Sequence, residues 1–396
     1  MHAIKRSFVR QRNLWSCEFK NPKAMYESAC ANVTTLAFVC GTERFCPHYS
    51  RRNSRLILLL IDITLYLVLS FWCVTVLWGQ LNDVIFCFVT MGGAVQAIAK
   101  ITCYTDKQFY DLHLGNLQNF ENERKFEEVE DALWNVAATC KLSVQISKIL
   151  YNTMLILVLM YSIGGSIMSD HYVLIFGYFF PWINPDTFVG YLVNFTYQST
   201  FLVYAYCGLQ YTDLCFLFLV MHAYGQLDTM IIYLRKFDLL LKAGFPSERS
   251  TMNVLFDDII KKHIKHTQYL SGMNKLLKFG ILFNTKSLVA QSVFSCFVLA
   301  TAEEIWYTGL VIVVLATVQI FGACILGTLL SSKKNDRFRR EMLFACNSVE
   351  LLQILAELKI NQGVFKITDW VESKLEPYIS KGHVTFVNNS VSLSLK

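Results

Sequence analysis

Hydrophobic residues dominate three long windows of this chain, residues 56–99, 149–234 and 287–332, and no lysine or arginine occurs in any of them. A helix of about 20 apolar residues crosses the roughly 30 Å hydrocarbon core of a bilayer. Each window can hold two such helices joined by a short loop, so the pattern predicts an all-α, polytopic transmembrane helical bundle. The six spans are expected at about residues 56–77, 84–101, 149–167, 191–220, 280–302 and 308–330.

Two of the charged residues within these spans, Lys100 and Asp213, lie in the inner parts of their helices. Lys100 lies at the inner end of the second span, where a lysine can extend its side chain to the interface. The fourth segment, 191–220, is longer than a bilayer requires. Asp213 is therefore expected in the last turns of this helix, which project into the cytosol.

The basic residues between the windows predict the orientation of the bundle. Ten Lys or Arg but only three Glu precede residue 56. The segments after the first, third and fifth spans contain acidic residues and no Lys or Arg, and basic residues return at Lys333 and Lys334. Because positively charged flanking segments stay in the cytoplasm, both ends of the chain are expected inside.

The same pattern divides the chain into three parts. Residues 1–55 form a cytoplasmic amino-terminal segment, and residues 56–332 form the bundle with helical cytoplasmic extensions. Residues 333–396 form a cytoplasmic basic segment with a divergent tail. Beyond Glu350, charged residues interrupt every window of 18 residues, so no seventh span is predicted.

Composition excludes several functional classes. The chain is 54% hydrophobic and 17% charged, below the roughly 25% charge of soluble domains, so a soluble enzyme is not expected. The net charge of +6 belongs to inner loops that face anionic lipid, and nucleic acid is not an expected partner. No nucleophile elbow, phosphate-binding glycine loop or Cys-x-x-Cys pair occurs, so no catalytic residue, metal site or cofactor is predicted.

Aromatic and methionine side chains are dense between residues 151 and 201. Such side chains, with a few hydroxyls among them, suit a pocket for a small volatile or lipophilic ligand. Helix packing, lipid contact and interfacial aromatic belts explain most of them equally well. The pocket is therefore a hypothesis at this point.

Three local patterns resemble the insect odorant receptor family over about residues 55–347. The first is the aromatic and proline-rich loop Phe-Pro-Trp-Ile-Asn-Pro-Asp at residues 180–186, before the fourth span. The second follows in and beyond that span, and the third is a Cys-x-x-Gly stretch in the sixth. The residues concerned are Pro181, Trp182, Pro185, Asp186, Asp213, His222, Gln226, Cys324 and Gly327.

The resemblance implies a tuning subunit of an odorant-gated, non-selective cation channel. The expected partners are a small volatile ligand, the lipid membrane and a shared coreceptor subunit, in a heteromer of four subunits. The expected location is the plasma membrane of olfactory sensory neurons. By analogy with the family, odorant enters the outer half of the bundle among spans two, three, four and six. The corresponding residues are Phe88, Met91, Tyr161, Gly164, Met168, Phe195, Ser199 and Thr308.

The carboxyl end departs from the family pattern. Ser348 stands where the family has Trp, and the expected seventh, pore-lining span is missing. The tail resembles a truncated, alternatively spliced or mispredicted end, and a subunit without that span could be non-conducting.

Two other receptor classes remain as alternatives. The nearer is a gustatory-type chemoreceptor of the same superfamily. A G-protein-coupled receptor is the more distant one, because its amino terminus should be outside and no Asp-Arg-Tyr or Asn-Pro-x-x-Tyr occurs at a helix end. A transporter should show paired charges or broken helices at mid-membrane.

Overall fold

Within the residues that it describes, the computed structural model shows eight helices and one short strand pair. The described residues are 15, 17–45, 49–50, 52–122, 126–168, 171–243, 249–301, 307–332, 385–387 and 390–392. The helices are α1 (Pro22–Cys40), α2 (Ser54–Val76), α3 (Leu81–Tyr104), α4 (Lys107–Asn122), α5 (Glu127–Met168), α6 (Phe188–Ala243), α7 (Arg249–Thr301) and α8 (Tyr307–Ser332). The strands β1 (Thr385–Val387) and β2 (Ser390–Ser392) pair antiparallel.

Six of these helices, α2, α3 and α5 to α8, are long and apolar enough to cross a membrane. The prediction of an all-helical bundle with six spans is therefore confirmed, apart from the strand pair of three residues each. Each predicted span falls on one of these helices. The predicted orientation, with the basic segments in the cytoplasm, remains a prediction.

Helix α1 lies in the amino-terminal segment, where the sequence analysis predicts no helix. Asn21 begins it, because its side-chain oxygen accepts a hydrogen bond from the Ala24 amide at 2.8 Å, and Pro22 occupies the first helical position. Gly41 ends it in the left-handed conformation, at φ 66°. A Cβ atom on Gly41 would lie 2.4 Å from the backbone nitrogen of Leu56, so only glycine fits between α1 and α2.

Helices α5 and α6 are longer than a membrane requires. They contain 42 and 56 residues, or about 63 and 84 Å at 1.5 Å per residue. We call the end of the bundle at which α2 begins and α3 ends the basic end. The parts of α5 and α6 that exceed a membrane's thickness extend from this end. There α1 packs against α5, and Lys148 of α5 donates to the Asn32 side chain at 2.6 Å.

The loop between α5 and α6 folds into the bundle at the opposite end. Gln198 of α6 accepts from the Phe176 amide at 2.9 Å and donates to the Tyr178 carbonyl at 2.6 Å. Asn194 accepts from the Phe180 amide at 2.8 Å and donates to the Gly190 carbonyl at 2.8 Å. Because the Asn194 amide is buried and used in this way, its Asn-Phe-Thr sequon is not accessible for glycosylation.

The chain divides into two units, of which the smaller contains residues 234–256 and 339–396. Within it, the rings of Phe237 and Phe256 lie 5.7 Å apart, and Lys242 forms an exposed ion pair with Asp238 at 2.6 Å. The predicted lack of a seventh span and the Ser348 position concern segments outside the described residues.

Candidate functional site

A cavity of about 190 Å³ lies inside the bundle, between α2, α3, α6 and α8. Helices α1, α5 and α7 and the loop before α6 each contribute one residue to its wall. Most of the lining is aliphatic or aromatic. A buried apolar cavity of about 150 Å³ in an engineered protein binds benzene, so this one can hold a ligand with a single ring.

Three aromatic rings form the wall of the cavity next to the loop. Tyr66 of α2 stacks on Phe201 of α6 with centroids 4.3 Å apart and an angle of 6°. Phe176 of the loop meets both rings edge to face, at 6.2 and 6.1 Å. These contacts between two helices and a loop fix the cavity wall in one arrangement.

Thr308, the second residue of α8, supplies a polar group to the lining. It is 3% exposed, and among the described residues its hydroxyl has no hydrogen-bond partner. A threonine deeper in a helix donates to the carbonyl four residues earlier, but no turn of α8 precedes Thr308. Its hydroxyl can therefore bond to a ligand in the cavity.

A buried ion pair forms part of the wall nearer the basic end. Lys100 of α3 donates to one carboxylate oxygen of Asp213 on α6 at 2.6 Å, and the Tyr151 hydroxyl donates to the other oxygen at 2.5 Å. The sequence analysis explained Lys100 and Asp213 separately and did not predict this contact; the depth of the two residues relative to the membrane remains a prediction. The two side chains lie close enough to neutralise each other inside the bundle, as buried charges require.

Amide side chains extend this network to the remaining helices. Gln319 of α8 donates to the Tyr151 hydroxyl at 3.0 Å. Gln96 of α3 donates to Gln319 at 3.0 Å and to Asn284 of α7 at 2.6 Å. The network thus connects α3, α5, α6, α7 and α8. Lys100 lies only four residues from the end of α3, away from the middle of that helix.

A second cavity of about 290 Å³ lies on the other side of the ion pair, among α3, α5, α6, α7 and α8. Asp213 and Tyr151 line this cavity only, whereas Lys100 and Tyr104 line both cavities. Exposed side chains such as Ile146 and Val318 form part of its lining, so it opens toward the surface of the bundle. The ion pair therefore separates a mainly apolar cavity from a more polar one.

The predicted ligand residues have different surroundings. Thr308 lines the first cavity. Phe88 is 46% exposed and Met168 is 90% exposed. The Tyr161 ring contacts Tyr307 at 4.8 Å. Seven of the predicted residues line neither of the two cavities: Phe88, Met91, Tyr161, Gly164, Met168, Phe195 and Ser199.

Most of the residues that carry the family pattern lie in the loop before α6 or on the exposed surface of α8, and do not line either cavity. Trp182 is fully exposed at φ 65°, on the loop that Pro181, Pro185 and Asp186 share. Its exposed ring suits the membrane interface. In α8, Cys324 is exposed, and a Cβ atom on Gly327 would meet nothing within 4 Å.

Of the remaining three family-pattern residues, Asp213 belongs to the ion pair, and His222 and Gln226 belong to a polar cluster near the basic end. The His222 ring nitrogen Nε2 lies 2.8 Å from the Asn119 amide, and Gln226 lies 2.9 Å from Nδ1 of His266. Burial lowers the pKa of neighbouring His113 to about 4, so this imidazole is neutral at physiological pH. Within the described residues, no group of three or more His, Cys, Asp or Glu could hold a metal ion. The cluster is best explained as helix packing.

Comparisons of the sequence with protein-family models and with curated proteins give no match. Comparisons of the structure do. The olfactory receptor OR5 of the insect Machilis hrabei, solved in complex with eugenol, matches with a TM-score of 0.60 and 10% identity. That match covers 81% of this chain and 87% of the receptor. The chain has the fold of an insect olfactory receptor.

A second structure of the same receptor matches this olfactory-receptor fold with a TM-score of 0.59 and 12% identity, over 83% of this chain and 85% of the receptor. The predicted resemblance to insect odorant receptors is thereby confirmed at the level of the fold. These two structures are receptors rather than enzymes. The chain is a membrane protein, with six helices long and apolar enough to span a membrane among its described residues.

The sequence analysis missed most of the cavity lining, including Tyr66, Phe201 and Lys100. The pairing of Lys100 could have been predicted, because a charged residue at the edge of an apolar span needs a partner. Asp213, the acidic residue in the fourth span, was the available partner.

Proposed function

We propose that this protein is an odorant receptor that binds a small, largely apolar ligand in the cavity among α2, α3, α6 and α8. The single observation that carries the proposal is that cavity: about 190 Å³, lined by aromatic rings, within an olfactory-receptor fold. Eugenol, the ligand of the similar receptor, is a small compound with one ring, and a compound of that class fits here.

The protein acts as the tuning subunit of a heteromeric, non-selective cation channel with a shared coreceptor, four subunits around a pore. It resides in the plasma membrane of olfactory sensory neurons. Ligand binding shifts the equilibrium from closed to open by binding the open state more tightly. The low burial of α8 supports contact with lipid or another subunit, because only 11% of its most apolar window is buried within the chain.

The amino terminus lies in the cytoplasm. An antibody to an amino-terminal epitope is expected to bind only after cells are permeabilised, because ten basic residues precede residue 56. The matched control carries the same epitope after Gly79, in the exposed turn between α2 and α3, where intact cells should bind antibody. Amino-terminal staining of intact cells would contradict this orientation.

The function is tested by co-expression with an odorant receptor coreceptor. Because the ligand shifts a population between two states, one-ring volatile compounds are expected to evoke a saturable cation current. The control is the coreceptor alone, which should not respond to the same compounds. The affinities of the active compounds for the purified receptor should follow the same rank order as their potencies in evoking current.

Two negative results have different meanings. Binding without current would indicate a receptor that recognises odorants but does not conduct, which is the alternative raised by the missing seventh span. Absence of both binding and current across a broad panel of volatile compounds would refute the odorant-receptor function.

A further inference from the structure

Lys100 is the only lysine or arginine that lines the ligand cavity among the described residues. Its side chain is 7% exposed and lines the wall formed by α3. An ammonium group has three N–H donors and no hydrogen-bond acceptor. Among the described residues, Asp213 is the only partner recorded for this ammonium. The ammonium therefore has two further donors, and Lys100 lies in the wall of both cavities.

The surroundings of Lys100 determine which kind of group can accept from it. Asp213 already neutralises the ammonium charge, so a second carboxylate from a ligand would be unpaired in an apolar cavity. A neutral acceptor oxygen brings no net charge into the bundle. The rest of the lining is mainly apolar and accommodates the body of the ligand.

We propose that Lys100 is the polar anchor of the ligand cavity and selects neutral compounds with a hydrogen-bond-accepting oxygen, such as a ketone, aldehyde, ester or ether. This inference rests on the proposed function, because it names the ligand class of the same site. Lys100 recognises the oxygen, and the apolar lining within about a turn of Lys100 and Asp213, such as Ala97 and Leu209, holds the ring or alkyl body.

The probes are acetophenone and α-methylstyrene, which have nearly the same shape but differ by an oxygen in place of a methylene. Their dissociation constants are measured for the full-length protein in lipid nanodiscs. The readout is the ratio of the two constants, because this ratio cancels effects of a substitution on the cavity as a whole. The variants are Lys100→Met with Asp213→Asn, which removes both charges together, and Lys100→Arg, which keeps the donors.

The double variant is expected to lower the relative preference for acetophenone by about tenfold, the loss of one hydrogen bond from a charged donor. Lys100→Arg should preserve most of the preference. A ratio that is the same in wild type and double variant would overturn the proposal while leaving the odorant-receptor function intact. Failure of the wild type to bind either probe, or any other one-ring compound, would refute both.

A measurement on the wild type alone guards against variants that do not fold. The infrared carbonyl stretch of bound, carbon-13-labelled acetophenone should shift to lower wavenumber than in hexane, because an ammonium donor weakens the C=O bond. A stretch at the hexane position would show that the oxygen accepts no hydrogen bond, and would overturn the proposal.

Discussion

Replacing Gly93 with phenylalanine is expected to abolish ligand binding while the protein stays folded. Gly93 lines the cavity on α3, and a Cβ atom at this position meets nothing within 4 Å. The benzyl group can therefore enter the space that a one-ring ligand needs. The dissociation constant should rise more than about 100-fold, or about 2.7 kcal/mol. Stability should be unchanged or higher, because the substitution removes a helical glycine and fills a void.

Two matched variants show whether the loss of ligand binding in Gly93→Phe depends on the position of the added ring. Gly327→Phe, on α8, also meets nothing within 4 Å but lines neither cavity, so binding should be normal. Gly164→Phe tests the alternative location, because Gly164 is among the ligand residues inferred from family resemblance. If Gly164→Phe blocks binding and Gly93→Phe does not, the ligand occupies the outer part of α5 and not this cavity.

Replacing Lys100 alone with methionine is expected to destabilise the protein strongly. Among the described residues, the substitution leaves the Asp213 carboxylate with only the Tyr151 hydroxyl as a partner. Removing one member of a buried ion pair costs about 3 to 5 kcal/mol; because Asp213 is 30% exposed, we expect about 2 to 3. Thermal unfolding in nanodiscs measures the loss.

A double-mutant cycle separates the stability contributed by the ion pair from the contributions of Lys100 and Asp213 individually. Adding Asp213→Asn to Lys100→Met removes the unpaired charge and should restore much of the lost stability. The control is the exposed pair of Lys242 and Asp238, which has the same 2.6 Å separation. Lys242→Met should cost no more than about 0.5 kcal/mol. Equal losses at Lys100 and Lys242 would contradict a buried charge network.

The spanning helices were predictable because their signal is an average over about 20 residues. Helix α1 was missed although Asn21, Pro22 and Gly41 are its start and stop signals. These signals are short, and the segment between them is not apolar enough to stand out beside the spans. Its burial against α5 depends on tertiary packing that periodicity does not reveal.

The residues of the cavity were harder to predict for a geometric reason. Consecutive residues point about 100° apart around a helix, so the rotation of each helix decides which of them face inward. Phe88 is 46% exposed, whereas the adjacent Val89 is 1% exposed and lines the cavity. The family resemblance named α3, α5, α6 and α8; three of these form main walls of the cavity, but α2 takes the place of α5, and the resemblance does not fix the rotation of each helix.

The pairing of Lys100 with Asp213 escaped prediction for a related reason. The residues are separated by 113 positions, and each could be explained singly, as an interfacial lysine and a cytosolic aspartate. Only the tertiary fold brings the two side chains to 2.6 Å inside the bundle.

The most direct test of ligand binding inside the bundle is photolabelling of the full-length receptor with a one-ring ketone that carries a diazirine. After irradiation, the labelled residues are mapped by mass spectrometry. Label is expected on residues that line the cavity, such as Tyr66, Phe201 and Thr308, and excess acetophenone should prevent it. Label confined to exposed positions such as Phe88 and Met168, or label insensitive to acetophenone, would contradict binding in this cavity.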